Sequence, residues 1–198
     1  MTYASLVPKL WNETIEAHRR EVRDAIMETT AGLVAERGLL AVTMSQIAEG
    51  TGIGRATLYK YFPHVESILF AWHDRQISNH LERLAAARDR ERVPYDRLLA
   101  LLNEFALVSH ASRGHHDTEL AALLHRDHRV AGAEQRVRQM FREVLDDAAR
   151  AGEIRDDVPT DELATFCVHA LAAANRLSSK AGVRRLVDVT LSGVRSGP

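Results

Sequence analysis

Apolar residues recur along this chain at spacings of three and four, the period of helices buried on one face. Leu10, Trp11, Ile15, His18, Val22, Ala25, Ile26, Thr29, Leu33 and Val34 keep that register, and Gly38 stands where a helix would stop. A helix from near Trp11 to Arg37 is expected, about 40 Å long at the standard rise. A second long one opens at Glu66 and carries Ile68, Leu69, Trp72, Ile77, Leu81 and Leu84 toward Ala87. Charges then alternate from Arg88 to Arg92 ahead of Pro94, which reads equally as a connection or a solvated helix end. Further helices are expected over Tyr95–Ser109, Thr118–His125 and Val130–Ala151, the last stopped by Gly152. Thr160 is expected to cap a helix from Asp161 to about Lys180, with Gly182 separating it from a final segment near Val183 to Val194. No alternating strand pattern of useful length occurs, so the chain reads as all-α.

Between the two long helices lies TMSQIAEGTGIGRATLYKYF, Thr43 to Phe62. Thr43 followed three residues later by Gln46 is a capping box and sets a helix start at Met44. Ile47 and Thr51 are spaced to face inward, Ala48 is small enough to admit a close neighbour, and Gly52 supplies a positive φ for the turn. Ile53 and Leu58 can bury beneath a second short helix. Arg55, Ala56, Thr57, Tyr59, Lys60 and Tyr61 then fall mainly on its outer side, and no carboxylate occurs from Gly50 to Pro63. Two cations and three hydroxyls at a helix N-terminus suit a polyanion, which points to a helix-turn-helix for DNA.

Composition narrows the setting. The 198 residues are 45% hydrophobic with five prolines, which excludes disorder as the main state. A formal net charge of −1 gives no global attraction to nucleic acid, so DNA affinity has to come from a local patch such as Arg55 with Lys60. Arg19, Arg20 and Arg23 form a second basic group; interleaved with Glu13, Glu16, Glu21 and Asp24, they read equally as phosphate contacts or as a solvated face. The single Cys167 reads as a small buried hydrophobe in a reducing compartment. With no leader pattern and no membrane-length apolar run, a cytoplasmic location is expected.

The stretch RREVRDAIMETTAGLVAERGLLAVTMSQIAEGTGIGRATLYKYFPHVESIL, Arg20 to Leu69, resembles the DNA-binding domain of the tetracycline-repressor (TetR) family of bacterial transcription regulators. The ATLYKYF run followed by Pro63 is its most specific part. Two positions depart from the family pattern: Gly54 stands where Ser commonly caps the recognition helix, and Val65 where Lys often contacts a phosphate. The resemblance implies an N-terminal head over residues 1–64 and a helical regulatory and dimerisation domain over 65–198. It assigns DNA contact to Thr43, Arg55, Ala56, Thr57, Tyr59, Lys60 and Tyr61, with Arg55 and Thr57 on base edges and Thr43, Tyr59, Lys60 and Tyr61 on phosphates.

The family layout further implies a homodimer in which two C-terminal helices from each chain form a four-helix bundle. Phe166, Cys167, Ala170, Leu171, Ala174, Leu186, Val187 and Thr190 are the candidate interface residues, on a surface rich in alanine and too wide for one packing face. It also implies a small-molecule effector held among the middle helices. Trp72, Phe105, Val108, His110, Leu120, Met140 and Phe141 are candidates to line that site, although a core residue carries the same signature. The expected function is a ligand-responsive repressor of a palindromic operator; an activator or an architectural DNA-binding protein is the alternative.

Enzyme and metal chemistry lack a motif. No nucleophile elbow, phosphate-binding glycine loop or dinucleotide fingerprint occurs, and no cofactor is expected. His115, His116, His125 and His128 cluster with Asp117 and Asp127, without Cys or a His-Glu-x-x-His spacing, and read as exposed histidines rather than a metal site.

Overall fold

The computed structural model describes residues 7–112 and 128–195. Among them are eight α-helices and no strand: α1 Val7–Arg37, α2 Met44–Thr51, α3 Arg55–Tyr61, α4 Val65–Arg90, α5 Pro94–Ala111, α6 His128–Arg150, α7 Thr160–Ala172 and α8 Lys180–Val194. Short 3₁₀ turns follow α1 at Leu39–Ala41 and α7 at Ala173–Arg176. The expected helix over Thr118–His125, Leu120 included, lies outside the described residues, as do His115, His116 and His125.

Two compact units divide the chain, one ending at Arg75 and the other beginning at Gln76. This division falls eleven residues beyond the 64/65 boundary that the family resemblance implied. The reason is packing: Ile68 and Leu69, on the first turns of α4, are fully buried, and Arg75 bonds Asp24 at 2.8 Å and also Glu28 on α1. The first unit is built around Ile26, Met27, Val34, Val42, Ile47, Ala48, Leu58 and Phe62, all buried. Thr30 is buried with them, and its hydroxyl donates to the Ile26 carbonyl at 2.8 Å.

In the second unit α6 packs against α5 and α7, and α8 closes over α5 and α7. Phe141 is at the centre, with Phe105 edge-to-face at 5.6 Å between centroids. Leu98, Leu101, Leu102, Val144, Leu145, Leu163 and Leu171 surround it. Three polar ties fix the layers: Arg97 on α5 to Asp147 on α6 at 2.7 Å, Arg83 on α4 to Glu104 on α5 at 2.7 Å, and Arg155 to the Gly193 carbonyl at the end of α8 at 3.2 Å.

Three sequence expectations are corrected here. Thr160 is the first residue of α7, not its cap; Pro159 precedes it with extended ψ, and the Thr160 hydroxyl donates to Asp146 at 2.5 Å. The continuous helix to Lys180 gives way after Ala172 to the 3₁₀ turn, and Ser179, whose hydroxyl accepts from the Gly182 N–H at 3.1 Å, starts a new helix. Gly182 is thus inside α8 rather than before it. The charged run after Ala87 resolves into a helix end, with Arg88 pairing to Asp89 at 2.6 Å and to Glu143 at 3.4 Å.

Candidate nucleic-acid interface

The interface is assembled from local backbone chemistry. Thr43, in extended conformation, caps α2: its hydroxyl accepts from Gln46 N–H at 3.4 Å and its own N–H donates to Gln46 Oε1 at 2.9 Å. Both halves of the capping box are therefore closed. At the other end, the Gly52 N–H donates to the Glu49 carbonyl and the Ile53 N–H to the Ala48 carbonyl, each at 3.1 Å. This double bond pattern needs φ of +74° at Gly52, a region open to glycine at little cost. The chain reverses within Gly52–Gly54, and Gly54 then caps α3 through its carbonyl alone, accepting from Thr57 at 2.9 Å and Leu58 at 3.0 Å.

On α3 the division of faces is sharp. Leu58 is fully buried, whereas Arg55, Ala56, Thr57, Tyr59 and Lys60 are exposed. Tyr59 keeps 49% of its surface open; Tyr61 is half-buried and Thr43 exposed. The helix thus carries five solvent-facing side chains over one anchor, within a stretch that has no carboxylate from Gly50 to Pro63. Such a surface neutralises phosphate and offers donors to base edges at the same time. Val65, where a lysine would add a phosphate contact, is half-buried.

Sequence reasoning missed three supports of this surface. Gly50 lies so near α1 that a Cβ there would come within 2.9 Å of Thr29 Cγ2. Arg23 of α1 lies over the Phe62 ring, 4.5 Å from its centroid, and covers the residue that ends α3. Arg75 forks to Asp24 and Glu28 and ties the start of α4 to α1. Only complementary charge or small size hinted at these contacts, since their partners are far apart in sequence.

The other assigned residues are more scattered. Phe105, Val108 and Phe141 belong to the second unit's own core or pack against it. His110 places Nδ1 3.2 Å from the Ala174 carbonyl. Met140 lines an open groove of about 850 Å³ together with Leu81, Ala85 and Arg88 of α4 and Gln139 and Glu143 of α6. Trp72 belongs to the first unit, and its indole N–H is buried without an acceptor among the described residues. On the last two helices and the 3₁₀ turn between them Cys167, Leu171, Ala174, Val187 and Thr190 are buried within their own unit, and burial pushes the Cys167 thiol up to about 12. Ala170 and Leu186 are half-buried, while Phe166 and Val189 present 43% and 68% of their surfaces to solvent.

Comparison with known proteins agrees with this layout. Residues 26–71 match the domain described as bacterial regulatory proteins of the tetR family, and residues 93–196 match the C-terminal domain of SbtR-like transcriptional regulators. The transcriptional repressor KstR2 of Mycobacterium tuberculosis is 28% identical over 158 residues, 73% of this chain and 74% of KstR2. The match to the regulator EthR of the same species is 37% identical but spans only a quarter of EthR's length. Among solved structures, a TetR/AcrR-family regulator from Thermobifida fusca superposes with a TM-score of 0.73 at 22% identity, covering 88% of this chain and 98% of that one. AibR, solved with isovaleryl coenzyme A and operator DNA, superposes with a TM-score of 0.61 at 19% identity, covering 87% and 97%. With a regulatory-protein head and a regulator C-terminal domain matched in succession, the chain belongs to the TetR family of DNA-binding transcriptional regulators, which are not enzymes.

Proposed function

We propose that the protein is a cytoplasmic, homodimeric repressor that binds a palindromic operator through α3 and releases it when a small molecule binds the second unit. The observation that carries the reading is the carboxylate-free face of α3, exposed at Arg55, Ala56, Thr57, Tyr59 and Lys60 above a fully buried Leu58. Arg55 and Thr57, in the first turn, are assigned to base edges. Thr43, Tyr59, Lys60 and Tyr61 are assigned to phosphates. Two such heads on one dimer would read half-sites about one helical turn apart, ~34–36 Å, or a multiple of it.

Exposed Phe166 and Val189, beside half-buried Ala170 and Leu186, support a second copy as the partner of α7 and α8. The groove between α4 and α6 is the assigned effector site, since a ligand there touches the helix that continues into the head. Release then requires the effector to favour the DNA-incompetent state. KstR2 is named a repressor, and AibR is solved with isovaleryl coenzyme A and operator DNA, which supports a repressor with a small-molecule ligand but not a particular groove.

The test is selection of bound sequences from random duplex DNA, followed by salt titration of the winner. A palindrome is expected to emerge. Lys60→Ala should weaken binding on every sequence and reduce the salt slope by about 0.9 per protomer bound. Arg55→Ala should relax discrimination at one position by ~1–3 kcal/mol. No enrichment by a folded protein, or a Lys60 variant that alters preference without altering slope, would sink the assignment.

A further inference from the structure

From the geometry of α1 we infer a second DNA contact, a basic strip on the N-terminal extension of that helix which grips phosphates flanking each half-site. The inference rests on the reading of α3 as the DNA-facing helix. It goes beyond it, because that reading places the DNA contacts on α3 and at the start of α2 and none on α1.

The argument starts from helical register. Ile26, Met27 and Thr30 face the head's core and are buried. Arg23 lies three and four residues before Ile26 and Met27, Arg19 and Arg20 lie seven before them, and Glu16 lies seven before Arg23, so these four share one helix face. The stripe that packs the head therefore runs on past the core as a charged one. From residue 14 to residue 21 only Ala17 is less than exposed, so the head does not cover this stretch.

Arg23 fixes where the strip points. Its guanidinium lies 4.5 Å over the ring of Phe62, the residue that follows α3. The strip thus starts at the end of the DNA-facing helix, near Lys60 in its last turn, and continues outward from there. Arg20 is one turn further out, exposed, and has no ion pair among the described residues. Arg19 is engaged by Glu16 at 3.2 Å, and Glu21 is drawn toward His18 at 3.9 Å. Arg20 is therefore the cation available for a new partner, with Arg19 held in reserve by Glu16.

A polyanion fits this arrangement better than an apolar or cationic partner would. The strip is continuous with a face that lacks carboxylate from Gly50 to Pro63, and the protein is a DNA-binding regulator. Phosphates beyond the reach of α3 carry no base information, so the contact adds affinity and footprint without changing preference.

The experiment compares wild type, Arg20→Ala, Glu16→Gln and Lys60→Ala on two duplexes. One bears the selected palindrome and ends at the half-sites; the other extends it by two helical turns on each side. On the long duplex Arg20→Ala should lower the salt slope by about 0.9 per protomer bound, with base preference unchanged. Glu16→Gln, which frees Arg19 and removes an acid facing the phosphates, should tighten binding there. On the short duplex Arg20→Ala and wild type should coincide. A wild-type slope for Arg20→Ala on the long duplex, with Lys60→Ala still reduced, overturns the strip and leaves α3 as the DNA-facing helix. An Arg20→Ala deficit that persists on the short duplex overturns its flanking placement. Absence of salt-dependent affinity in the wild type removes the strip and the α3 reading together.

Discussion

Gly50 on α2 faces Thr29 on α1 across two helices of the DNA-binding head, and a Cβ on Gly50 would sit 2.9 Å from Thr29 Cγ2. Glycine inside a helix costs about 0.8–1.0 kcal/mol relative to alanine, so its presence in α2 follows from packing rather than propensity. Overpacking costs ~1–3 kcal/mol and outweighs that gain. Gly50→Ala is expected to destabilise the protein in urea titration, and Thr29→Ser, which removes the methyl concerned, should restore stability to the double variant. Stabilisation by Gly50→Ala alone would mean that the helices yield easily and that the contact does not set their spacing.

The capping box at Thr43 can be separated from any role in DNA binding. Thr43→Ala removes the acceptor for the Gln46 N–H, at an expected cost of about 0.5–2 kcal/mol. Thr43→Ser keeps the hydroxyl and should stay near wild type in denaturation midpoint. If Thr43→Ala matches wild type in stability but loses DNA affinity, while Thr43→Ser keeps both, the hydroxyl acts through phosphate rather than through the helix start.

Val189 is 68% exposed on α8, so a charge placed there leaves the protomer's own packing intact. Val189→Glu should shift the protein toward monomer in light scattering by roughly tenfold or more in dissociation constant, because a charge trapped at an apolar interface lacks compensation. DNA affinity should fall with it, since two linked heads bind far more tightly than one. An unaltered dimer would place the interface elsewhere than on the outer face of α8.

Burial and the nearby Arg83 guanidinium hold His80 below its ordinary value of 6.5, with Glu104 acting in the opposite direction. The folded state thus favours neutral imidazole, and below that value the unfolded chain binds the proton more readily. Stability from this residue is present above pH 6.5 and is lost as the pH falls through the lowered folded value. The urea midpoint should decline as the pH falls below about 6.5, and His80→Gln should flatten that decline. Equal slopes in the two proteins would assign the acid sensitivity to other groups.

The DNA-binding head was legible in the sequence wherever its geometry is made by neighbours in the chain. The Thr43–Gln46 box, the Gly52 turn and the buried Leu58 beneath an exposed Arg55, Thr57 and Lys60 all follow from bonds that span five residues or fewer, or from helical period. Backbone donors and glycine's freedom act locally, so residue type and spacing suffice.

The rest depended on partners distant in sequence. Periodicity showed that Cys167, Leu171 and Val187 are covered, but the tertiary structure alone assigned that cover to their own unit and left Phe166 and Val189 facing out. Ser179 was readable as a helix start only against the break after Ala172, and Thr160 was drawn from capping to Asp146 by a side chain fourteen residues away. Arg23 over Phe62, Arg75 between Asp24 and Glu28, and Gly50 against Thr29 carry no local signature. An amphipathic pattern states that a face is buried, and burial is non-directional; which surface does the burying is decided only when the helices pack.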